Sequence, residues 1–135
     1  IVGYPIIDLE NFYTDINRYL RSLEEIVIST LKFYKISSKR SSGETGVWLE
    51  PNSPYSRKIC AIGVKTSRWV TMHGFALNVD TDLRYYDYII PCGIKGKGIT
   101  SINKEIKKSV SINEVKEELL QNLKKTFDAN LIFSV

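Results

Sequence analysis

Two strand-like runs separated by a short polar stretch constrain the fold of this chain more than any other feature. The runs Lys58–Val64 and Trp69–Val79 are rich in β-branched, aromatic and small residues. Within the stretch between them, Lys65–Ser67 are the expected connection. A connection this short joins two neighbouring strands into an antiparallel hairpin. The centre of the fold is therefore predicted to be a β-hairpin.

Side chains alternate between the two faces of a strand, so the first run can be assigned by position. One face is predicted to carry Lys58, Cys60 and Ile62. The other face is predicted to carry, in part, Ile59, Ala61 and Gly63. Lys58 would then emerge at the start of the strand beside an apolar face. Gly63 and Gly74 are small positions on the two strands, which suit either a chain-like ligand close to the backbone or a bulge or tight packing.

Two helices are predicted from the spacing of apolar residues. The first runs from about Asn11 to Tyr34, with a stripe at three- and four-residue intervals. The second, Ser111–Phe127, has the spacing of a capping box in Ser111 and Glu114. Shorter strands are predicted at Val2–Leu9, Val47–Leu49 and Ile99–Ile102, and loops at 37–46 and 51–54. Pro5 would place the first of these strands at an edge or a bulge.

Composition limits the class of protein. With 135 residues, 43% hydrophobic and 25% charged, the sequence is that of one soluble globular domain spanning 1–135. No apolar run reaches the length of about 18 residues that a membrane span needs, and a secretory leader is not expected. Two cysteines are too few for a disulfide framework, which favours a reducing cytoplasm. The net charge of +4 suggests an acidic partner. The lysines and arginines are scattered along the chain, which argues against nucleic acid as that partner. A monomer is expected.

The rare, reactive residues gather between Arg57 and Ile94. Cys92 stands on a Pro-Cys-Gly turn, and a neighbouring cation or base could convert its thiol to the nucleophilic thiolate. Lys58 and His73 are the two candidates for that neighbour, and the residue types alone leave both open, beside a purely structural cysteine. With one histidine and no clustered carboxylates, a metal site is not expected.

A longer motif ranks these alternatives. The run K-I-C-A-I-G-V-K-T-S-R-W-V-T-M-H-G-F-A-L-N-V-D, followed by Tyr85-Tyr86 and I-I-P-C-G-I, closely resembles the lipoyl/octanoyl transferases of the LipB family. The resemblance extends from G-Y-P-I-I-D-L to about residue 103. It implies an α+β fold, a mixed β-sheet with packed helices like that of the lipoate and biotin protein ligases. It also implies transfer of an octanoyl group from octanoyl-acyl carrier protein to a lysine of lipoyl domains.

By the same resemblance, Cys92 is the acyl-thioester nucleophile and Lys58 activates it. The acyl site is lined by two short segments, Ala61-Ile62-Gly63 and Gly74-Phe75-Ala76, and His73 is a neighbour of the site. The implied acceptors are the lipoyl domains of 2-oxoacid dehydrogenases and the glycine cleavage H protein. No metal, nucleotide or other cofactor is implied, and no nucleic acid or membrane partner. The candidate docking residues for the acidic partners are Lys65, Arg68, Lys95 and Lys97.

The sequence departs from the family pattern in two ways. Cys60 stands where the family usually has alanine, and it could form a regulatory disulfide with Cys92 or be a simple packing exchange. The family motif R-G-G-x-x-T-Y-H-G-P-G-Q normally precedes I-V-G-Y-P, with which this chain begins. The chain is therefore expected to be the C-terminal part of the enzyme. The competing hypotheses are a non-catalytic fragment that binds a carrier or lipoyl domain, and an ATP-dependent lipoate ligase of the same fold.

Overall fold

The computed structural model of the protein describes residues 1–88 and 97–133. Its regular elements are, in chain order, β1 (Val2–Gly3), α1 (Ile16–Phe33), β2 (Lys39–Ser41), β3 (Glu44–Leu49), β4 (Arg57–Ser67), β5 (Val70–Leu77), β6 (Gly98–Ile99), α2 (Ile102–Ile106) and α3 (Ile112–Phe127). Two 3-10 turns, Leu9–Asn11 and Leu83–Tyr88, lie between them. Cys92 and Lys95 lie outside the described residues.

The strands form one mixed sheet. Its order is β1-β5-β4-β3-β2, with every neighbouring pair antiparallel, and β6 pairs with β4 in parallel. Helix α1 packs on β3, β4 and β5, and α3 packs on α1. The apolar side chains of α1, α3 and one sheet face form the core. The predicted α+β class, a mixed sheet with packed helices, is confirmed.

The central hairpin exists but turns later than predicted. Lys65–Ser67 continue β4, where Lys65 pairs with Met72 and Ser67 with Val70. The connection consists of Arg68 and Trp69, whose φ angles are +46° and +62°. A two-residue hairpin turn with positive φ at both positions matches the right-handed twist of the strands. Neither residue is a glycine or an asparagine, so the usual sequence mark of such a turn is absent.

The predicted loop at 37–46 is wrong, because β2 and the start of β3 form a second hairpin there. Its strands are polar, and they are held to α1 by a buried carboxylate. Glu24 is fully buried; its Oε2 lies 3.0 Å from Arg40 Nε, and its Oε1 accepts a 3.1 Å hydrogen bond from Gly46 N. Gly46 has φ +114°, and a Cβ there would stand 2.5 Å from the carbonyl oxygen of Cys60. Strand β3 can therefore approach β4 this closely only at a glycine.

The helix starts differ in detail from the predicted ones. Helix α1 begins at Ile16, because Asp15 caps it by accepting a 2.9 Å hydrogen bond from Arg18 N. Ser111 precedes α3, but its side chain makes no capping hydrogen bond, so the predicted capping box is wrong. The predicted strand Ile99–Ile102 ends at Ile99, and α2 begins at Ile102. The predicted strand Val2–Leu9 is regular only at Val2–Gly3, with one further bridge at Asp8.

Candidate active site

Lys58 is a buried lysine at the start of the central strand. It pairs with Trp48 on β3, and only 7% of the residue is exposed. Its Nζ lies 4.6 Å from the centroid of the Trp48 ring, a cation–π distance. Among the described residues no carboxylate lies within ion-pair distance of Lys58, since every ion pair there is formed by an arginine or by Lys97. A buried ammonium without a counter-charge is rare unless it serves a site.

A bulge in β4 decides which side chains share the face of Lys58. Val47 pairs with Cys60, whereas the next residue, Trp48, pairs with Lys58, so Ile59 is an extra residue in the ladder. Val47 and Trp48 point to opposite faces, and paired residues share a face. Cys60 and Lys58 therefore lie on opposite faces, and the predicted alternation is wrong at this point because a bulge resets it.

Cys60 belongs to the core beneath α1. It has no exposed surface and pairs with Leu77 on β5. Burial raises the pKa of the Cys60 thiol far above its ordinary value. These facts describe a packing residue and give no support to the regulatory disulfide with Cys92.

With the bulge taken into account, Lys58 shares its face of the sheet with small residues, on the side away from the helices. Ala61 pairs with Ala76, and Gly63 pairs with Gly74. Ala76 and Gly63 are exposed, and a Cβ added to Gly63 would meet no atom within 4 Å. We call Ala61, Gly63 and Ala76 the open face.

The other three predicted lining residues are placed differently. Gly74 is covered by the chain itself, since a Cβ there would stand 2.1 Å from the carbonyl oxygen of Gly3. Phe75 is buried in the core, and its strand partner Ile62 packs against that core. The tight-packing alternative therefore holds for Gly74, and Gly63 retains open space.

A second lysine shares the ring of Trp48. The Nζ atom of Lys97 lies 5.0 Å from the same centroid and 2.5 Å from Glu44 Oε2. That oxygen also accepts a 2.7 Å hydrogen bond from Ser41. Hydrogen bonds from Lys97 and then Ser41, with the positive charges of Lys97 and Lys58, lower the pKa of Glu44. No sequence pattern predicts this cluster, because Glu44 and Ser41 lie within the predicted loop at 37–46.

The strand that follows the Cys92 segment runs beside Lys58. Strand β6 pairs Gly98 with Arg57 and Ile99 with Lys58, and Thr100 N donates to the Lys58 carbonyl at 3.0 Å. Arg57 donates to both carboxylate oxygens of Glu105 on α2 at 2.7 Å, which ties the segment after β6 to β4. This ion pair lowers the pKa of Glu105.

His73 and the basic residues of the hairpin end lie elsewhere. His73 is exposed, has φ +64°, and pairs with Val64, six residues along β4 from Lys58. Without the bulged Ile59, five rises of about 3.3 Å put the two strand positions about 17 Å apart. Lys65 and Arg68 are exposed further along the same hairpin. The structure thus brings Lys97, but not His73, to Lys58.

Across residues 1–88 and 97–133, no three His, Cys, Asp or Glu residues gather in a way that could hold a metal ion. Within the same ranges, none of the helices has the length and apolarity to traverse a bilayer.

The fold is shared with known ligases. A biotin protein ligase from Aquifex aeolicus superposes with a TM-score of 0.69 at 16% identity, covering 93% of this chain and 51% of that one. A bipartite lipoate protein ligase from Thermoplasma acidophilum superposes with a TM-score of 0.66 at 17% identity, covering 98% and 51%. At such identities the likeness defines the fold class alone.

Sequence similarity then identifies the family. Residues 1–124 match the family model "Lipoyl protein ligase A/B catalytic domain", and the chain belongs to that family. An octanoyltransferase of Christiangramia forsetii is 61% identical over 132 residues, which are 97% of this chain and 56% of the relative. One of Flavobacterium psychrophilum is 60% identical over 133 residues, 98% and 57%. The chain thus spans just over half the length of these curated relatives.

Proposed function

We propose that the chain carries the lysine and cysteine of an octanoyltransferase site. In this proposal Cys92 accepts an octanoyl group from octanoyl-acyl carrier protein, and the acyl-enzyme passes it to a lysine of a lipoyl domain. The observation that carries the proposal is Lys58, a buried ammonium with no carboxylate partner among the described residues, beside an open face of small residues.

The positions of the described flanks limit how far Cys92 can lie from β6, the strand that pairs with Lys58. Lys97 follows Cys92 by five residues, and β6 then pairs directly with Lys58. Five residues span at most about 17 Å when fully extended. On the other flank, Asn78 N donates to the Ile59 carbonyl at 3.0 Å, and Tyr86 Oη lies 3.5 Å from Asn78 Oδ1. Both flanks are therefore tied to β4 near the proposed base.

The proposed chemistry conserves its protons. The Lys58 ammonium stabilises the Cys92 thiolate, because a nearby cation favours the ionised thiol. The thiolate attacks the carrier thioester, the carbon–sulfur bond to the carrier breaks, and the departing carrier thiolate takes a proton from Lys58. The neutral Lys58 amine then accepts a proton from the acceptor lysine as that amine attacks the acyl-enzyme. Cys92 leaves as a thiolate, and the starting state returns.

The acyl chain fits the open face. An octanoyl group is a flexible apolar chain, and it needs a surface without projecting side chains close to the reacting carbonyl. Ala61, Gly63 and Ala76 provide such a surface on the same side of the sheet as Lys58. Backbone N–H groups near Cys92 would stabilise the oxyanion.

The partners and setting are part of the same proposal. The acceptors are the lipoyl domains of 2-oxoacid dehydrogenases and the H protein of glycine cleavage, and the enzyme acts as a cytoplasmic monomer. The net charge of +4 favours acidic carriers. Of the proposed docking residues, Lys97 lies beside Lys58, whereas Lys65 and Arg68 lie towards the far end of the β4–β5 hairpin. His73 lies on the same hairpin but six residues along β4 from Lys58, and it has no part in the proposed chemistry.

Intact-mass spectrometry tests the proposal directly. The full-length protein, meaning this chain with any flanking sequence that its gene encodes, is incubated with octanoyl-carrier protein. We expect a thioester adduct that is absent in Cys92→Ser and forms about 10²-fold more slowly or worse in Lys58→Ala. Cys60→Ala and Lys108→Ala are matched controls, since Cys60 is buried in the core and Lys108 is exposed. An adduct that persists in Cys92→Ser would refute the mechanism.

A further inference from the structure

Lys58 and Lys97 contact the same aromatic ring, but only Lys97 has a carboxylate partner among the described residues. We propose that Lys97 is a positioning residue: by occupying Glu44, it prevents that carboxylate from pairing with Lys58 and so keeps the Lys58 amine available. The inference deepens the proposed function and rests on it where activity is the readout.

The geometry directs Lys58 towards Glu44. The Glu44 carboxylate lies on the side of β3 that carries the Trp48 ring, since Lys97 Nζ contacts both of them, at 2.5 Å and 5.0 Å. Trp48 is the strand partner of Lys58, and the Cδ atom of Lys58 lies 3.7 Å from the position of a Cβ on Gly46. The lysine stem therefore lies beside Gly46, which stands between Trp48 and Glu44 on β3.

The charges make the two lysines competitors. Glu44 carries one negative charge, and the two ammonium groups on the Trp48 ring supply two positive charges. Lys97 holds Glu44 at 2.5 Å in a pair whose side chains are only 30% and 20% exposed, so water screens it weakly. The charge of Lys58 also reaches Glu44, since it contributes to the lowered pKa of that carboxyl. Without Lys97, the cation left on the Trp48 ring is Lys58, which has no carboxylate partner among the described residues.

A suppressor experiment separates this role from a structural one. In the full-length protein, Lys97→Met should slow octanoyl transfer about tenfold, which corresponds to about 1.4 kcal/mol for capture of Lys58 by Glu44. Adding Glu44→Gln removes the capturing charge, so the double variant should return to the rate of Glu44→Gln alone. Lys97→Arg keeps a cation on Glu44 and should restore the rate. A residue that served only stability would give no such recovery, because the double variant lacks the ion pair entirely.

A structure of the Lys97→Met variant supplies the readout that does not need activity. We expect Lys58 Nζ to move within 4.0 Å of a Glu44 carboxylate oxygen, the distance that defines an ion pair. Lys97→Gln provides the same test if the methionine variant does not fold.

The outcomes distinguish the two proposals. A wild-type protein that forms no thioester refutes the proposed function, and the structure of the variant still decides the role of Lys97. Full activity of Lys97→Met, or a double variant as slow as Lys97→Met, overturns the inference. An unmoved Lys58 amine in the variant structure overturns it as well.

Discussion

Gly74 and Gly63 face each other across the β4–β5 ladder, and the structure predicts that the same substitution destabilises the protein at Gly74 but not at Gly63. A Cβ on Gly74 would lie 2.1 Å from the Gly3 carbonyl oxygen and 2.8 Å from Pro5 Cδ. Real Cβ atoms do not approach backbone this closely, so Gly74→Ala must displace the first strand from β5. A Cβ on Gly63 would meet nothing within 4 Å.

The size of the effect follows from the contacts that would be broken. The displaced segment pairs Val2 and Gly3 with β5, and the Pro5 carbonyl accepts hydrogen bonds from Thr71 Oγ1 at 2.8 Å and Tyr19 Oη at 3.1 Å. At about 1 kcal/mol net for each hydrogen bond, the loss is about 2–4 kcal/mol. An unfolding entropy of about 2.1 cal/mol/K per residue converts this to a fall in Tm of about 7–14 °C for a cooperative unit of 135 residues.

Thermal unfolding followed by circular dichroism measures both variants under one set of conditions. The Tm of Gly74→Ala should fall by about 7–14 °C. The unfolding free energy of Gly63→Ala should stay within about 0.5 kcal/mol of that of the wild type. Equal falls in the two variants, or no fall in Gly74→Ala, would show that the close approach of Gly3 to β5 is not a constraint on the fold.

Two further predictions concern the ion pair after β6 and the buried thiol. Glu105→Gln should cost about 1–3 kcal/mol at pH 7, because Arg57 loses a charged partner. Since the folded pKa of Glu105 is lowered from its usual 4.5, its stabilisation is present above about that pH and disappears as the pH falls through the lowered pKa. In denaturant unfolding, the unfolding free energies of the wild type and of Glu105→Gln should therefore become equal in acid. Glu117→Gln, at an exposed position, is the control. A difference in unfolding free energy that does not change with pH contradicts the prediction. Cys60 should resist maleimide labelling in the folded protein and react on unfolding, and labelling at the rate of an exposed thiol would show that its burial is wrong.

The parts of the fold that could be predicted are those with local, repeating signals. The apolar spacing of α1 and α3 and the β-rich composition of β4 and β5 each lie within one segment. The hairpin β2–β3 has such a signal only at Val47–Leu49, because its polar residues are held in place by Glu24, a residue of a helix earlier in the chain. The turn at Arg68-Trp69 was missed for a related reason, since neither residue type favours positive φ.

The residues of the candidate site likewise fall into those that the sequence could predict and those that it could not. Lys58 and Cys92 could be named because they stand in a contiguous motif that resembles a known family. Their surroundings could not, because Trp48, Glu44 and Lys97 reach Lys58 only through strand pairing and the parallel addition of β6. The face assignment failed because an extra residue in a strand changes every position beyond it, and no residue type marks the insertion.

The extra residue at Ile59 makes this site sensitive to strand register as well as to composition. If β4 ran through Ile59 without the bulge, regular alternation would put the side chain of Lys58 on the face of Cys60, towards α1. A protein with that register could keep the lysine, the cysteine and both glycines and still lack a site. Comparisons of related sequences should therefore establish the pairing of β3 with β4 before they credit a matching lysine with function.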